Sequence, residues 1–426
     1  MDGPAMLPNL TPDMDLAAEL FAGLRAKSTD GEGVTREAYG PGERMAHALV
    51  RAAADRVGLE SSVDVAGNLY MTLPGADRSA KRVVIGSHLD SVRQGGNYDG
   101  AAGVLAGMAT VAGMKRAGFT PGRDITVMAI RAEEAGAWFP VSYPGSRMAL
   151  GLFKADGLAI PRQDSGRTLA DHMREEGFDP DAVARGEHAI GLHNVAAFLE
   201  LHIEQGPVLE TEQVPIGIVT GIPGSRRLRQ GRVVGEYNHS GATPRKYRRD
   251  AAAALAELVH RMDEEWCRLD AMGHVLVCTF CTMATTAEAG FTKIAGEATF
   301  SLDVRSVSPH AFDLMFEALH RFIAEIEARR GVRFDCGPET GSRAAIMDEG
   351  IRAGLKRAAD ALGVRHLDIA SGAGHDAAAF AEARVPSSML FVRNQHGSHN
   401  PKEDMRMEDF AAACAVVQRW AAEAAQ

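Results

Sequence analysis

The chain reads as an α/β protein whose central, mostly parallel sheet is interrupted by an inserted two-layer α+β domain. Three observations predict this. The apolar runs Val83-Val84-Ile85 and Ile125–Ile130 flank a small-residue helix, Ala101–Gly118, which is the pattern of a βαβ unit. From about residue 218, two long helical patterns and several alternating strands follow with a core of their own. Past Pro338 the α/β character returns, so residues 1–217 and 334–426 are expected to form one domain and 218–333 the insertion.

Asp13 or Asp15 caps a first helix that places Leu16, Leu20, Phe21 and Leu24 on one face. A second helix fits Glu43–Val57, and Ser62–Leu73 reads as a hairpin turning at Ala66-Gly67-Asn68. Residues 152–195 are polar and irregular, with short helices only. Ala196–Ile203 is a strand carrying His202. In the insertion, strands are expected at Arg227–Tyr237, His274–Cys281, Gly296–Arg305 and Val332–Cys336, with helices at Asp250–Leu269 and Ala311–Arg330. A helix at Glu349–Leu362, a Gly-rich loop at Ser371–Gly374, a strand at Met389–Val392 and a final helix at Glu408–Ala424 complete the chain.

A formal net charge of −10 argues against a nucleic-acid surface or an anionic membrane partner. No apolar run reaches the roughly 18–20 residues of a membrane-spanning helix. Met1–Asp15 has neither a basic region nor an apolar core, so no secretory signal is expected there. Five scattered cysteines suit core thiols in a reducing cytoplasm. Cys278-Thr279-Phe280-Cys281 lacks the second cysteine pair that a structural zinc site needs.

The chemistry concentrates where strands end. Gly86–Gly100 carries His88, Asp90 and Asp99 past the Val83–Ile85 strand, with Gly95-Gly96 expected as the turn that brings Asp99 back. The next strand ends in Glu133-Glu134, where one carboxylate can coordinate a metal while its neighbour takes a proton from water. His202 lies on a short strand that ends at Gln205-Gly206, and His399 sits in the loop Gly397-Ser398-His399-Asn400-Pro401. Three imidazoles and two carboxylates suit zinc, and also Mn, Co or Ni. Five donors exceed one structural zinc and fit two ions that share a carboxylate. Asp90 is placed to accept the second ring N–H of His88 and set its tautomer.

The segments Gly86-Ser-His-Leu-Asp-Ser, Asp99-Gly, Glu133-Glu134, Leu199-Glu-Leu-His-Ile-Glu-Gln-Gly-Pro, Ser371-Gly-Ala-Gly-His-Asp and Ser398-His-Asn-Pro resemble the hydantoinase/carbamoylase amidohydrolases, within the M20 metallopeptidase group. That family includes N-carbamoyl-L-amino acid hydrolases, β-ureidopropionases and allantoate amidohydrolases. The resemblance implies a metallopeptidase-like catalytic domain and an insertion that serves as lid and dimerisation domain. It implies Asp99 as the bridge between two divalent ions, His88 and His202 on one, Glu134 and His399 on the other, and Glu133 as general base. Asn238-His239-Ser240-Gly241-Ala242-Thr243-Pro244 is similar to the motif whose histidine steadies the oxyanion from the partner subunit of a homodimer. Arg305 matches the arginine that grips the substrate carboxylate, and Gln205 and the Gly374 backbone match further substrate contacts.

Two places depart from the family pattern. Thr292 stands where an asparagine is usual, and a hydroxyl offers fewer donors and a shorter reach. After Glu134 the run Ala135-Gly136-Ala137-Trp138-Phe139-Pro140 replaces the usual Gly and Arg-Phe, which points to Trp138 as a pocket residue favouring a larger or more apolar group. The expected activity is metal-dependent cleavage of a linear amide or carbamoyl bond in a small carboxylate-bearing substrate. An aminopeptidase or dipeptidase of the same group is the alternative enzyme, and a non-catalytic ligand-binding homologue is the alternative of another class.

Overall fold

Asp13 opens the first helix: its carboxylate accepts the Leu16 amide at 3.1 Å, pairing one of the N–H groups a helix start leaves exposed. The structure is a computed structural model that describes residues 10–426, so residues 1–9 of the N-terminal segment read above lie outside the described residues. Along the chain come α1 (Met14–Ser28), α2 (Pro41–Val57), β1 (Glu60–Val63), β2 (Leu69–Leu73), β3 (Arg82–His88), α3 (Ala101–Arg116), β4 (Ile125–Ile130), β5 (Val195–Ile203) and β6 (Ile216–Val219). Then follow β7 (Gly224–Val234), α4 (Ala251–Ala271), β8 (Leu276–Thr285), β9 (Glu297–Ser306), α5 (Pro309–Arg330), β10 (Arg333–Asp335) and β11 (Glu339–Ser342). The last elements are α6 (Glu349–Ala361), β12 (His366–Ile369), β13 (Ser387–Val392) and α7 (Met407–Ala424).

The chain divides into two compact units, one formed by residues up to Gly221 with Ile346–Gln426, the other by Ile222–Ala345. The second unit runs past the expected boundary at 333 because β10 and β11 both pair with β7.

The first unit is built on an eight-stranded mixed sheet in the order β12-β6-β13-β5-β3-β4-β2-β1. Its middle is parallel: β13 pairs with β5, β5 with β3 and β3 with β4 in the same direction. The hairpin β1–β2 and the β6–β13 pairing are antiparallel. The small residues of α3 have a direct cause. A Cβ on Gly103 would lie 2.1 Å from the Leu201 carbonyl oxygen, so only glycine lets this helix lie so close to the sheet. In the parallel register, Ile85 lies opposite Leu199, and His88 opposite Ile130. Three neighbouring strands therefore release their chemistry at one edge: His88 from β3, Arg131–Glu134 after β4 and His202 from β5.

The second unit is a two-layer α+β module. Its antiparallel sheet runs β8-β9-β7-β10, with β11 also on β7. Strand β9 alternates cleanly, with Phe300, Leu302 and Val304 packed against Leu255, Leu258, Met315 and Leu319 of α4 and α5. The cysteines correct one expectation. Cys278 and Cys414 are buried, but Cys267 and Cys281 are exposed, and all five are free thiols. A register shift between Phe280 and Thr282 breaks the β8 alternation and leaves Cys281 outside.

Candidate metal centre

His88 and His202 leave neighbouring strands with their rings aimed at one another, Nε2 to Nε2 at 3.4 Å. Each ring is oriented from behind. His88 Nδ1 lies 3.1 Å from the Asp90 carbonyl oxygen and His202 Nδ1 2.9 Å from that of Ile203. A carbonyl can only accept, so Nδ1 carries the proton in both rings and the Nε2 lone pairs face inwards. Asp99 Oδ1 completes the group, 3.4 Å from His88 Nε2 and 3.1 Å from His202 Nε2, yet it receives no aligned hydrogen bond. The Gly100 amide reaches His202 Nε2 at 3.1 Å. With both rings neutral, three buried acceptors otherwise converge with no proton donor among them, the arrangement that a cation satisfies.

A second group shares Asp99. His399 Nε2 lies 3.0 Å from Glu134 Oε1 and 3.7 Å from Asp99 Oδ2. His88, Asp99 and His202 form one possible metal site, and Asp99, Glu134 and His399 another, with Asp99 common to both. Glu133 faces the first, its Oε2 3.7 Å from His88 Nε2. All five donors predicted from the sequence are thus brought together, with Glu133 beside them.

Charge crowding governs the electrostatics. Burial pushes the Glu133 carboxyl well above the usual carboxylate range, opposed by His88 and reinforced by Glu134, Asp376 and Asp90. Burial also raises Glu134. Asp99 goes the other way: in the absence of a cation the His202 and His88 rings, raised by the surrounding carboxylates despite their burial, carry charge that overcomes its desolvation and holds it well below the ordinary value. A hydrogen bond to Glu134 lifts His399 to about 9.

Asp90 does more than the sequence suggests, and one part differs. The Nδ1 proton of His88 goes to the Asp90 main-chain carbonyl, while the carboxylate, 3.4 Å from Nδ1, accepts the Glu133 amide at 3.1 Å and the Glu134 amide at 3.0 Å. Those bonds hold the turn that follows Ala132, a non-glycine residue with φ 57°. Gln205 (φ 65°) and His399 (φ 59°) share this left-handed backbone, so strain gathers in the loops that carry the donors. Gly95-Gly96 also differ from expectation. Neither has a positive φ, and a Cβ on Gly96 would sit 2.0 Å from the Glu403 carboxyl carbon. Gly96 makes room for Glu403, and Gly100 (φ 65°), whose Cβ would meet the His88 ring at 2.3 Å, supplies the unusual backbone.

Glu403 is a residue the sequence reading missed. Its Oε1 accepts the Tyr98 and Asp99 amides at 2.9 and 3.1 Å, and its Oε2 lies 2.5 Å from the Ser398 hydroxyl. That hydroxyl also reaches Asp99 Oδ2 at 2.5 Å. Two further buried carboxylates lie deeper. Glu200 accepts from the Ser87 hydroxyl and the Ala377 amide, and Asp376 from the Ser146 hydroxyl. The His375 ring lies 4.5 Å from that of His202 and faces the Ser371 hydroxyl. Glu200, His375 and Asp376 stand within the family-like runs at 199–207 and 371–376, but nothing in those runs marks them as buried behind the donors.

Of the residues expected to touch substrate, Gln205 lies at the centre, its Nε2 donating to Asp99 Oδ2 at 2.7 Å. The Gly374 backbone packs so closely on Tyr143 that a Cβ would fall 1.5 Å from the phenol oxygen. Trp138 does not open onto a pocket. It is buried among Tyr39, Phe139 and Met148, donates its indole N–H to the Ser91 carbonyl at 2.9 Å, and lies under the Arg93 guanidinium. Trp138 and Phe139 are therefore packing material.

His239, Thr292 and Arg305 belong to the second unit. His239 is exposed, and its Nδ1 accepts the Gly241 and Ala242 amides at 3.1 Å each, which leaves Nε2 as the proton-bearing atom. Thr292 sits beside it, its carbonyl accepting the Ser240 amide at 2.9 Å. On β9, Arg305 Nε donates to Asp303 at 2.9 Å, and the same carboxylate receives Arg227 from β7 at 3.1 Å.

Residues 84–423 match the model of peptidase family M20/M25/M40. The chain is 35% identical to an N-carbamoyl-L-amino acid amidohydrolase of Geobacillus stearothermophilus, covering 90% of this chain and 92% of that protein. It is 34% identical to an allantoate amidohydrolase of Bacillus subtilis, covering 88% and 89%. Among solved structures it resembles a hydantoinase/carbamoylase family amidase from Burkholderia ambifaria, with TM-score 0.86 and 32% identity over 98% of each chain. The chain belongs to the hydantoinase/carbamoylase amidohydrolases, within peptidase family M20/M25/M40.

Proposed function

We propose that the chain is a two-metal hydrolase that cleaves a linear amide or carbamoyl C–N bond in a small carboxylate-bearing substrate: an N-carbamoyl amino acid, an N-acyl amino acid or a ureido acid. The observation that carries this reading is Asp99, one carboxylate common to two donor groups, with Glu133 3.7 Å from His88. His88, Asp99 and His202 would hold one ion, and Asp99, Glu134 and His399 the other. Their nitrogen and oxygen donors suit zinc, or Mn, Co or Ni. Bound ions of this kind supply Lewis acidity, acidifying water and drawing charge from the scissile carbonyl.

The remaining work falls to the chain. Glu133 takes a proton from the attacking water and returns it to the departing nitrogen, and the raised proton affinity that burial gives it suits both steps. The partner subunit's His239 donates its Nε2 proton to the developing oxyanion. Arg305 pairs with the substrate carboxylate, and Gln205, Thr292 and the Gly374 backbone orient the rest. A homodimer finds support in β8, an edge strand that carries exposed Val277 and Met283. Beside it a groove of about 360 Å³ is lined by Leu255, Val259, Met283 and Ala298. The acidic balance and sparse free thiols support a cytoplasmic enzyme without nucleic-acid or membrane partners.

The test is a hydrolysis screen of N-carbamoyl, N-formyl, N-acyl and ureido acids with defined metals, ammonia and amine release scored separately. Glu133→Gln is expected to keep its metal and lose about 10²- to 10⁴-fold in turnover. Near-normal turnover in that variant refutes the assignment. Cleavage of dipeptides with no action on carbamoyl or acyl acids would favour the aminopeptidase reading instead.

A further inference from the structure

Arg36 is a fully buried cation that no carboxylate touches. Its Nε donates to the Leu89 carbonyl at 2.6 Å and one Nη to Asn97 Oδ1 at 3.2 Å, with Ser28 Oγ at 3.5 Å. Its backbone is knitted to the same loop, exchanging bonds of 2.9 Å with the Ser91 hydroxyl and amide. All these partners are neutral. The other Nη is buried without an acceptor, and Arg36 forms no ion pair among the described residues. A guanidinium taken out of water with no counter-ion in contact is costly, so its compensation must come from further away. Burial weakens its hold on its proton, and Glu403, Asp90, Asp99 and Glu134 act in the opposite direction. All four carboxylates line or support the candidate metal centre. The loop that Arg36 grips, from Leu89 to Asn97, is the one that joins His88 to Asp99.

We propose that Arg36 is a positioning residue that acts as a built-in counter-charge for these carboxylates, a proposal that rests on the two-metal reading above. In the metal-free protein its fixed charge offsets the crowding of Asp90, Asp99, Glu134 and Glu403 and holds the loop between the first histidine and the shared aspartate. Once cations bind, the same charge opposes them. Arg36 therefore stabilises the empty site and weakens metal binding at once.

The experiment measures Zn²⁺ affinity by chelator competition, and melting temperatures of metal-free and Zn²⁺-loaded protein, for wild type, R36M, R36Q and R36K. R36Q keeps an amide donor for the Leu89 carbonyl. Both neutral variants are expected to bind Zn²⁺ about tenfold more tightly, the order of one unit charge felt through an effective dielectric of about 20. Their metal-free forms should lose more melting temperature than their loaded forms, and R36K should keep wild-type affinity. A neutral variant that folds only with Zn²⁺ supports the proposal as well. Unchanged or weaker affinity with equal losses in both forms overturns it, as does failure of both neutral variants to fold with Zn²⁺ present. Wild-type protein that binds no Zn²⁺ refutes the two-metal reading itself and is recognisable as that separate result.

Discussion

Replacing Asp90 with alanine tests how the turn bearing Glu133 and Glu134 is held. The Asp90 carboxylate is wholly buried and accepts the Glu133 and Glu134 amides at 3.1 and 3.0 Å. Hydrogen bonds to a charged group contribute about 1.5–3 kcal/mol each, so losing two removes about 3–6 kcal/mol. Some of this returns, because Asp90 also repels Glu133 and Glu43, and its removal relieves both. A net loss of about 2–4 kcal/mol follows, toward the lower end of what breaking a buried charged cluster costs. The turn after Ala132 is then free to relax from its left-handed backbone, carrying Glu133 and Glu134 with it. Misplacement of a reacting group by about 1 Å costs about 100-fold in rate. Urea unfolding of the metal-loaded protein, metal content and kcat on the best substrate from the screen together read these effects. A D90A protein that loses less than about 1 kcal/mol and keeps wild-type turnover would refute the reasoning.

Three other outcomes follow from the geometry. Gly100→Ala forces a Cβ into the His88 ring at a positive-φ backbone that L side chains rarely adopt, so metal content by elemental analysis should fall sharply, and full occupancy would contradict it. His399 is raised from its ordinary 6.5 to about 9, so its contribution to the metal-free protein is fully present below about pH 6.5 and is lost as pH rises through about 9. Thermal melts of chelated protein should therefore fall across that window while Zn²⁺ affinity climbs, since cations displace the His399 proton; flat behaviour in both would argue against the pairing with Glu134. Finally, mixing inactive Glu133→Gln and His239→Ala proteins under conditions of subunit exchange should restore activity, because a mixed dimer holds one intact site; no recovery, with exchange verified, would remove His239 from the partner's site.

The central strands are legible in the sequence because burial on both faces leaves continuous apolar runs, as in Ile125–Ile130. The outer strands β6 and β12 are not: each has four residues, and in β12 none is fully buried, so neither shows a period. The five donors are legible because each stands at a strand end or in a Gly- or Pro-marked loop. Glu200 sits inside a strand run, and although Asp376 and Glu403 each follow a Gly- or Pro-marked loop, what sets all three apart is burial produced by distant segments. Glu403 reaches Asp99 across 304 residues, a proximity that no local pattern encodes. Trp138 misled for the complementary reason: a large aromatic near a site reads the same in sequence whether it lines a cavity or fills the wall behind it.

The place of β13 in the sheet has a consequence for the order of events as the protein is made. This strand lies between β6 and β5, although it is the last strand to appear along the chain. Until it arrives, β5 and β6 each present an open edge, and the segment bearing Ser398 and His399 has nowhere to dock. Newly made chains must therefore wait for their final portion before the shared aspartate meets its second set of neighbours. Quality control over this enzyme then falls late: a chain cut short before Ser387 lacks both a strand from the middle of its sheet and His399, the one candidate donor that follows it.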